Sequence, residues 1–125
     1  MSQPVNRGSS TRALGGATSL QVVDVNMSSS HTSAPMTIPK GSTIASFELY
    51  SASNTHVGTV GCQISNSGEN WTTVTFDSGA TTVAVTNGAA LNAFINISSL
   101  GARYIRLVYT ASSGAGTLQY FGNTK

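Results

Sequence analysis

The sequence predicts an all-β fold, an antiparallel β-sandwich or jelly roll of about eight strands with an extended N-terminal arm. Three observations carry that expectation. Between Leu20 and Phe121 apolar residues recur at every second position in run after run. Clusters of Gly, Asn, Ser, Pro and Asp separate the runs at intervals of roughly 8–15 residues, in the range of turn-punctuated sandwiches. No stretch shows the 3.6-residue apolar period of an amphipathic helix.

The chain divides into an arm, 1–19, and one β-domain, 20–125. The arm reads MSQPVNRGSSTRALGGATS, with three glycines, a proline, two arginines and no acid, and it has no periodicity of either kind. The first strand is expected at Leu20–Asn26, with Val23, Val25 and Met27 on one face. A Ser/Thr/Pro-rich loop follows, in which Met36–Pro39 can pair only at an edge because proline lacks the amide donor. Ala45, Phe47 and Leu49 alternate in the second strand, which leaves Tyr50 on the wetter side with Glu48.

Val57–Ser65 and Trp71–Asp77 flank the turn formers Ser65-Asn66-Ser67-Gly68-Glu69-Asn70 and read as a β-hairpin. Val60, Cys62 and Ile64 point one way in its first arm, and Gly58 and Gly61 allow a close backbone approach or a bulge. Thr81–Thr86 is a short strand ended by Asn87-Gly88, a dipeptide that tolerates positive φ. Leu91–Ile97 alternates through Leu91, Ala93, Ile95 and Ile97. Ala102–Thr110 puts Ile105, Leu107 and Tyr109 opposite Tyr104, Arg106 and Val108, and Thr117–Phe121 is the last strand.

At 125 residues the chain is long enough for one core. Charged residues make up 8% of it, against ~25% in ordinary soluble domains. Together with 39% apolar residues and a net charge of +2, this argues for a folded domain and against disorder. So neutral a surface suits a protein held inside an assembly. The six basic residues are scattered, so no nucleic-acid partner is expected. No apolar run reaches the ~20 residues of a membrane helix, and no membrane partner is expected. No secretory h-region follows Met1-Ser2-Gln3-Pro4, so synthesis in a cytoplasm is expected. Cys62 is alone and in phase with Val60 and Ile64, which predicts a buried, inert thiol.

The residues offer little chemistry. Of the four carboxylates, only Glu69 and Asp77 are close, and they stand at opposite ends of one strand, roughly 25 Å apart if extended. That is too far for paired acid/base work on one bond. His31 and His56 sit in polar loops and are expected to be exposed, with no second ligand at metal-binding spacing. Neither a nucleophile elbow nor a phosphate loop is present. No catalytic residue, metal or cofactor is expected. The aromatics Trp71, Tyr50 and Tyr104 are the candidates for a ligand platform or a subunit contact. In the arm, Arg7, Arg12 and Leu14 are the candidates for contacts to a neighbouring subunit.

Two phrases carry resemblances. Ile64-Ser65-Asn66-Ser67-Gly68-Glu69-Asn70-Trp71 and Ala102-Arg103-Tyr104-Ile105-Arg106-Leu107 resemble a hairpin and a strand of discoidin-like (coagulation-factor type C) domains, over fewer than twenty residues. Ser67 stands where that family usually has Asp. The combination of a Gly/Ser-rich arm, this hairpin and Tyr104-Ile105-Arg106-Leu107-Val108-Tyr109-Thr110 running into Gly114-Ala115-Gly116-Thr117-Leu118 looks like small β-proteins of tailed-bacteriophage virions. The second resemblance implies a non-enzymatic structural protein on the capsid surface, a capsid decoration (cement) protein. It would bind the major capsid protein or another virion protein as a homo-oligomer, a trimer among the expected forms. The competing expectation is a carbohydrate-binding module of a tail fibre or secreted protein, working through Trp71.

Overall fold

The computed structural model describes residues 10–14, 17–52, 55–86, 90–98 and 100–125, with side chains from Val25 onward. They form two antiparallel sheets, and the expected all-β sandwich is what the chain builds. The strands in chain order are β1 (Ser10–Leu14), β2 (Ala17–Asn26), β3 (His31–Thr32), β4 (Met36–Thr37), β5 (Ala45–Ser51) and β6 (Val57–Ser65). They continue as β7 (Thr72–Thr73), β8 (Val83–Val85), β9 (Leu91–Ile97), β10 (Tyr104–Ser113) and β11 (Thr117–Thr124). One sheet has the order β1-β2-β11-β5-β9. The other is centred on the β6–β10 pair, flanked by β3 and β4 beyond β10 and by β7 and β8 beyond β6. No helix among the described residues is long and apolar enough to cross a membrane.

Two-residue alternation places the core between the sheets. Ala45, Phe47 and Leu49 of β5 and Ile105, Leu107 and Tyr109 of β10 are fully buried, as are Val60, Leu118 and Tyr120. Each large apolar side chain removed from water in this way contributes roughly 1.5–3 kcal/mol. Cys62 belongs to the same layer, buried and unpaired, and its apolar surroundings push the thiol up to about 12. A Cβ on Gly58 would overlap the Thr110 carbonyl and come within 2.8 Å of the Tyr109 ring. Only a glycine lets β6 pass β10 this closely.

The edge beyond β10 shows why the Ser-rich segment 28–33 is there. β3 and β4 lie along one strand but are interrupted at Ser33-Ala34-Pro35, where a regular ladder fails. Ser33 bridges the gap: its N–H donates to the Leu107 carbonyl at 2.9 Å. Its hydroxyl accepts the Leu107 N–H at 2.8 Å. Ser30 does the same further along, its hydroxyl accepting the Ala111 N–H at 3.0 Å. Hydroxyls stand in where main-chain partners are missing, so both of these β10 amides are satisfied.

Three expectations are corrected. The arm was expected to be unpaired as far as residue 19, yet Ser10–Leu14 pairs antiparallel with β2, from Ser10↔Gln21 to Leu14↔Ala17. That pairing makes β1 and β2 neighbouring strands of one sheet, within the stretch read as an arm. Residues 1–9 lie outside the described residues. The hairpin's second arm is also shorter than Trp71–Asp77. After Thr72–Thr73 only the Val74 N–H continues toward Cys62, and the Phe76 N–H turns instead to the Ala80 carbonyl.

Finally, the histidines are not exposed loop residues. His56 is fully buried, next to Thr55, whose hydroxyl accepts the Ala115 N–H at 3.1 Å and so holds the loop before β11 in place. His31 is half-buried and shares a 3.0 Å hydrogen bond between its Nε2 and the Tyr120 hydroxyl. Burial lowers both imidazoles from their ordinary value.

Candidate binding surfaces

With the inner faces committed to the core, any site is on the two outer faces or at the ends. Along β10 the outward residues are Tyr104, Arg106 and Val108, all half-buried. Arg106 is paired across the ladder with Gln63, and its Nε donates to Gln63 Oε1 at 2.9 Å. That bond fixes the guanidinium, whose carbon lies 4.0 Å from the centre of the Trp71 ring. Such a cation–π stack is worth about 0.5–2 kcal/mol.

One ring face of Trp71 is therefore occupied by the protein's own arginine. The residue locks the exit of the hairpin turn onto β10 and does not present an open stacking platform. The turn is itself self-bonded. Ser65 Oγ accepts the Gly68 N–H, and Ser67 Oγ accepts those of Glu69 and Asn70. Asn66 Oδ1 accepts the Arg103 N–H at 3.1 Å, which ties the turn to the start of β10 beside Tyr104.

The five-stranded sheet presents a different surface. Register places Phe121 of β11, Glu48 of β5 and Phe94 of β9 side by side in one row, with Gln119, Tyr50 and Asn92 in the next. Phe94 is 61% exposed, Tyr50 46% and Phe121 38%. Neighbouring strands are about 4.8 Å apart, so the two phenylalanines flank the Glu48 stem from either side with Tyr50 diagonal to both. Three large aromatic rings are thus exposed around one carboxylate on this face.

Of the residues expected to act, Trp71 and Tyr104 share the outer face of the six-stranded sheet, while Tyr50 lies on the opposite side of the sandwich. Arg12 and Leu14 stand on β1, opposite Ser19 and Ala17 of β2, with their side chains outside the described residues, as is all of Arg7. Phe94 was not singled out, although the signal was present. Phe94 is out of phase with Ala93, Ile95 and Ile97, so an outward ring was implied. The carboxylates are dispersed. Asp77 accepts the Ser98 N–H at 2.8 Å and the Ser98 hydroxyl at 2.7 Å, which closes the turn beside β9. Those bonds, the hydroxyl's first, hold its carboxyl below the ordinary value. Among the described residues no three His, Cys, Asp or Glu side chains converge as a metal would need.

No protein-family model matches the chain, and no curated protein does. The fold does have a solved counterpart. The crystal structure of the SPBc2 prophage-derived protein YomS superposes with a TM-score of 0.52 at 7% sequence identity, covering 90% of this chain and 98% of that one. At that identity the likeness concerns the fold, which the two chains share over nearly their whole lengths.

Proposed function

We propose that this chain is a non-enzymatic structural protein of a tailed-phage virion, and specifically a capsid decoration (cement) protein that binds and stabilises the assembled shell. The observation that carries the reading is the patch formed by Phe94, Tyr50 and Phe121 on the outer face of the five-stranded sheet. The virion-like phrases around Trp71 and Tyr104, the low charge and the fold held in common with a prophage-derived protein support it. The occupied face of Trp71 weighs against the carbohydrate-binding alternative.

The mechanism is mass action: a protein that binds the assembled lattice and not free subunits stabilises the lattice by its binding free energy. Burying the exposed half of each ring supplies roughly 1 kcal/mol. Three rings together are then worth about a hundred-fold in affinity. Residues 1–9 and β1, with Arg7, Arg12 and Leu14, supply a second contact to the major capsid protein, and a homo-oligomer multiplies both.

The test is co-sedimentation of the purified chain with unexpanded and expanded capsids of the phage that encodes it. Wild type is expected to pellet with expanded shells. The triple variant Tyr50→Ser, Phe94→Ser, Phe121→Ser is expected to stay in the supernatant with its fold intact by circular dichroism. Wild type remaining in the supernatant with both kinds of shell refutes the proposal.

A further inference from the structure

At one end of the sandwich a cleft of about 510 Å³ opens between the segment 37–42 and the approach to β10 at residues 102–104. Its volume is in the range of small-molecule sites, about 300–1,000 Å³. The two walls are joined by main-chain bonds. Tyr104 pairs with Thr37 across β10 and β4, and the Ile38 N–H donates to the Arg103 carbonyl at 2.7 Å. Arg103 is further held through its own N–H by Ser65 O and Asn66 Oδ1. On the other wall Pro39-Lys40-Gly41-Ser42 is a tight turn. The Ser42 N–H donates to the Pro39 carbonyl at 2.9 Å, and Gly41 has φ +90°, the third position of a type II turn. The backbones under Lys40 and Arg103 are thus fixed before any ligand arrives.

The lining includes two cations, Lys40 and Arg103, and no carboxylate. The Arg103 guanidinium carbon lies 5.9 Å from the centre of the Tyr104 ring, which biases it along that wall. An oxyanion between the two cations would meet a planar fork from one side and a point charge from the other. The cleft is several times larger than such a group. Thr37 and the half-buried Tyr104 line the rest, a mixed polar and aromatic wall that suits the hydroxylated carbon frame that would carry it.

We propose that this cleft binds a sugar or polyol through an attached anionic group, a phosphate or a carboxylate. The site is separate from the aromatic patch and does not depend on the capsid reading.

Isothermal titration of the full chain, in phosphate-free buffer at low salt, against glucose 6-phosphate, glucuronate and glucose tests it. At least one of the two anionic sugars is expected to bind and glucose is not. The affinity should fall as salt is raised. Lys40→Gln and Arg103→Gln are each expected to weaken binding on the order of ten-fold. They should leave the thermal midpoint unchanged, because the Arg103 main chain, not its guanidinium, makes the bonds between the walls. Binding of only one anion identifies the group. Binding of neither anion, equal binding of glucose, or unchanged affinity in the double variant overturns the proposal.

Discussion

Replacing Tyr109 with phenylalanine removes a single oxygen atom from the middle of the sandwich, and its effect can be worked out in advance. Tyr109 is fully buried on β10, and its hydroxyl donates to the Met27 carbonyl at 3.0 Å. Met27 is also fully buried, and its own N–H is committed to the Gly116 carbonyl at 2.9 Å. In the variant the Met27 carbonyl loses this donor in a place closed to water, and a buried acceptor left unsatisfied costs about 1–3 kcal/mol.

For a chain of this length each kcal/mol moves the thermal midpoint by roughly 4 °C. A loss of about 2 kcal/mol therefore predicts a fall of about 8 °C. Tyr50→Phe is the control, since its ring is 46% exposed on the outer face and surface changes of this kind stay within about 0.5 kcal/mol. Urea denaturation followed by circular dichroism measures both. If Tyr109→Phe falls within about 0.5 kcal/mol of Tyr50→Phe, the hydrogen bond is not holding Met27 and the reasoning fails.

Two further predictions concern the core. Gly58→Ala would drive a methyl group into the Thr110 carbonyl and to 3.0 Å from the Tyr109 hydroxyl. It is expected to cost at least about 1–3 kcal/mol, read as a lower urea midpoint at unchanged m-value. Cys62, with its thiol pushed up to about 12, should resist thiol reagents in the native protein at pH 8 and react promptly in denaturant. In linkage terms its burial contributes stability that is complete below the ordinary thiol value of 9.0 and is lost as pH rises toward about 12. Cys62→Ala should accordingly show a shallower alkaline decline in stability than wild type over that interval, measured by urea titration at successive pH values.

Much of this architecture is local, and for that reason legible in the sequence. A side chain's face in a strand depends only on whether its position is odd or even. The burial of Phe47 and Leu49, of Val60 and Cys62, and of Ile105 and Leu107 therefore followed from alternation, and Val57–Ser65 was delimited by its flanking turn formers. The same parity made Tyr50 and Phe94 outward. What alternation does not carry is which strands meet. Tyr50 and Trp71 were grouped by residue type, yet strand pairing puts them on opposite outer faces of the sandwich. His56 was read as exposed because its neighbours are polar, but the loop before β11, some sixty residues away in sequence, packs beside it.

Ser33 and Ser30 looked like loop filler until β10 supplied the amides that their hydroxyls accept. Lys40 and Arg103 were two scattered cations until the β4–β10 pairing brought their walls together. By itself the sequence determined the fold class, the strand faces and the burial of Cys62, because each depends on residues within a few positions of one another. Only the tertiary structure decided the aromatic patch and the cationic cleft. Both are made of side chains from strands and turns far apart in the chain, which are brought together by sheet order and register.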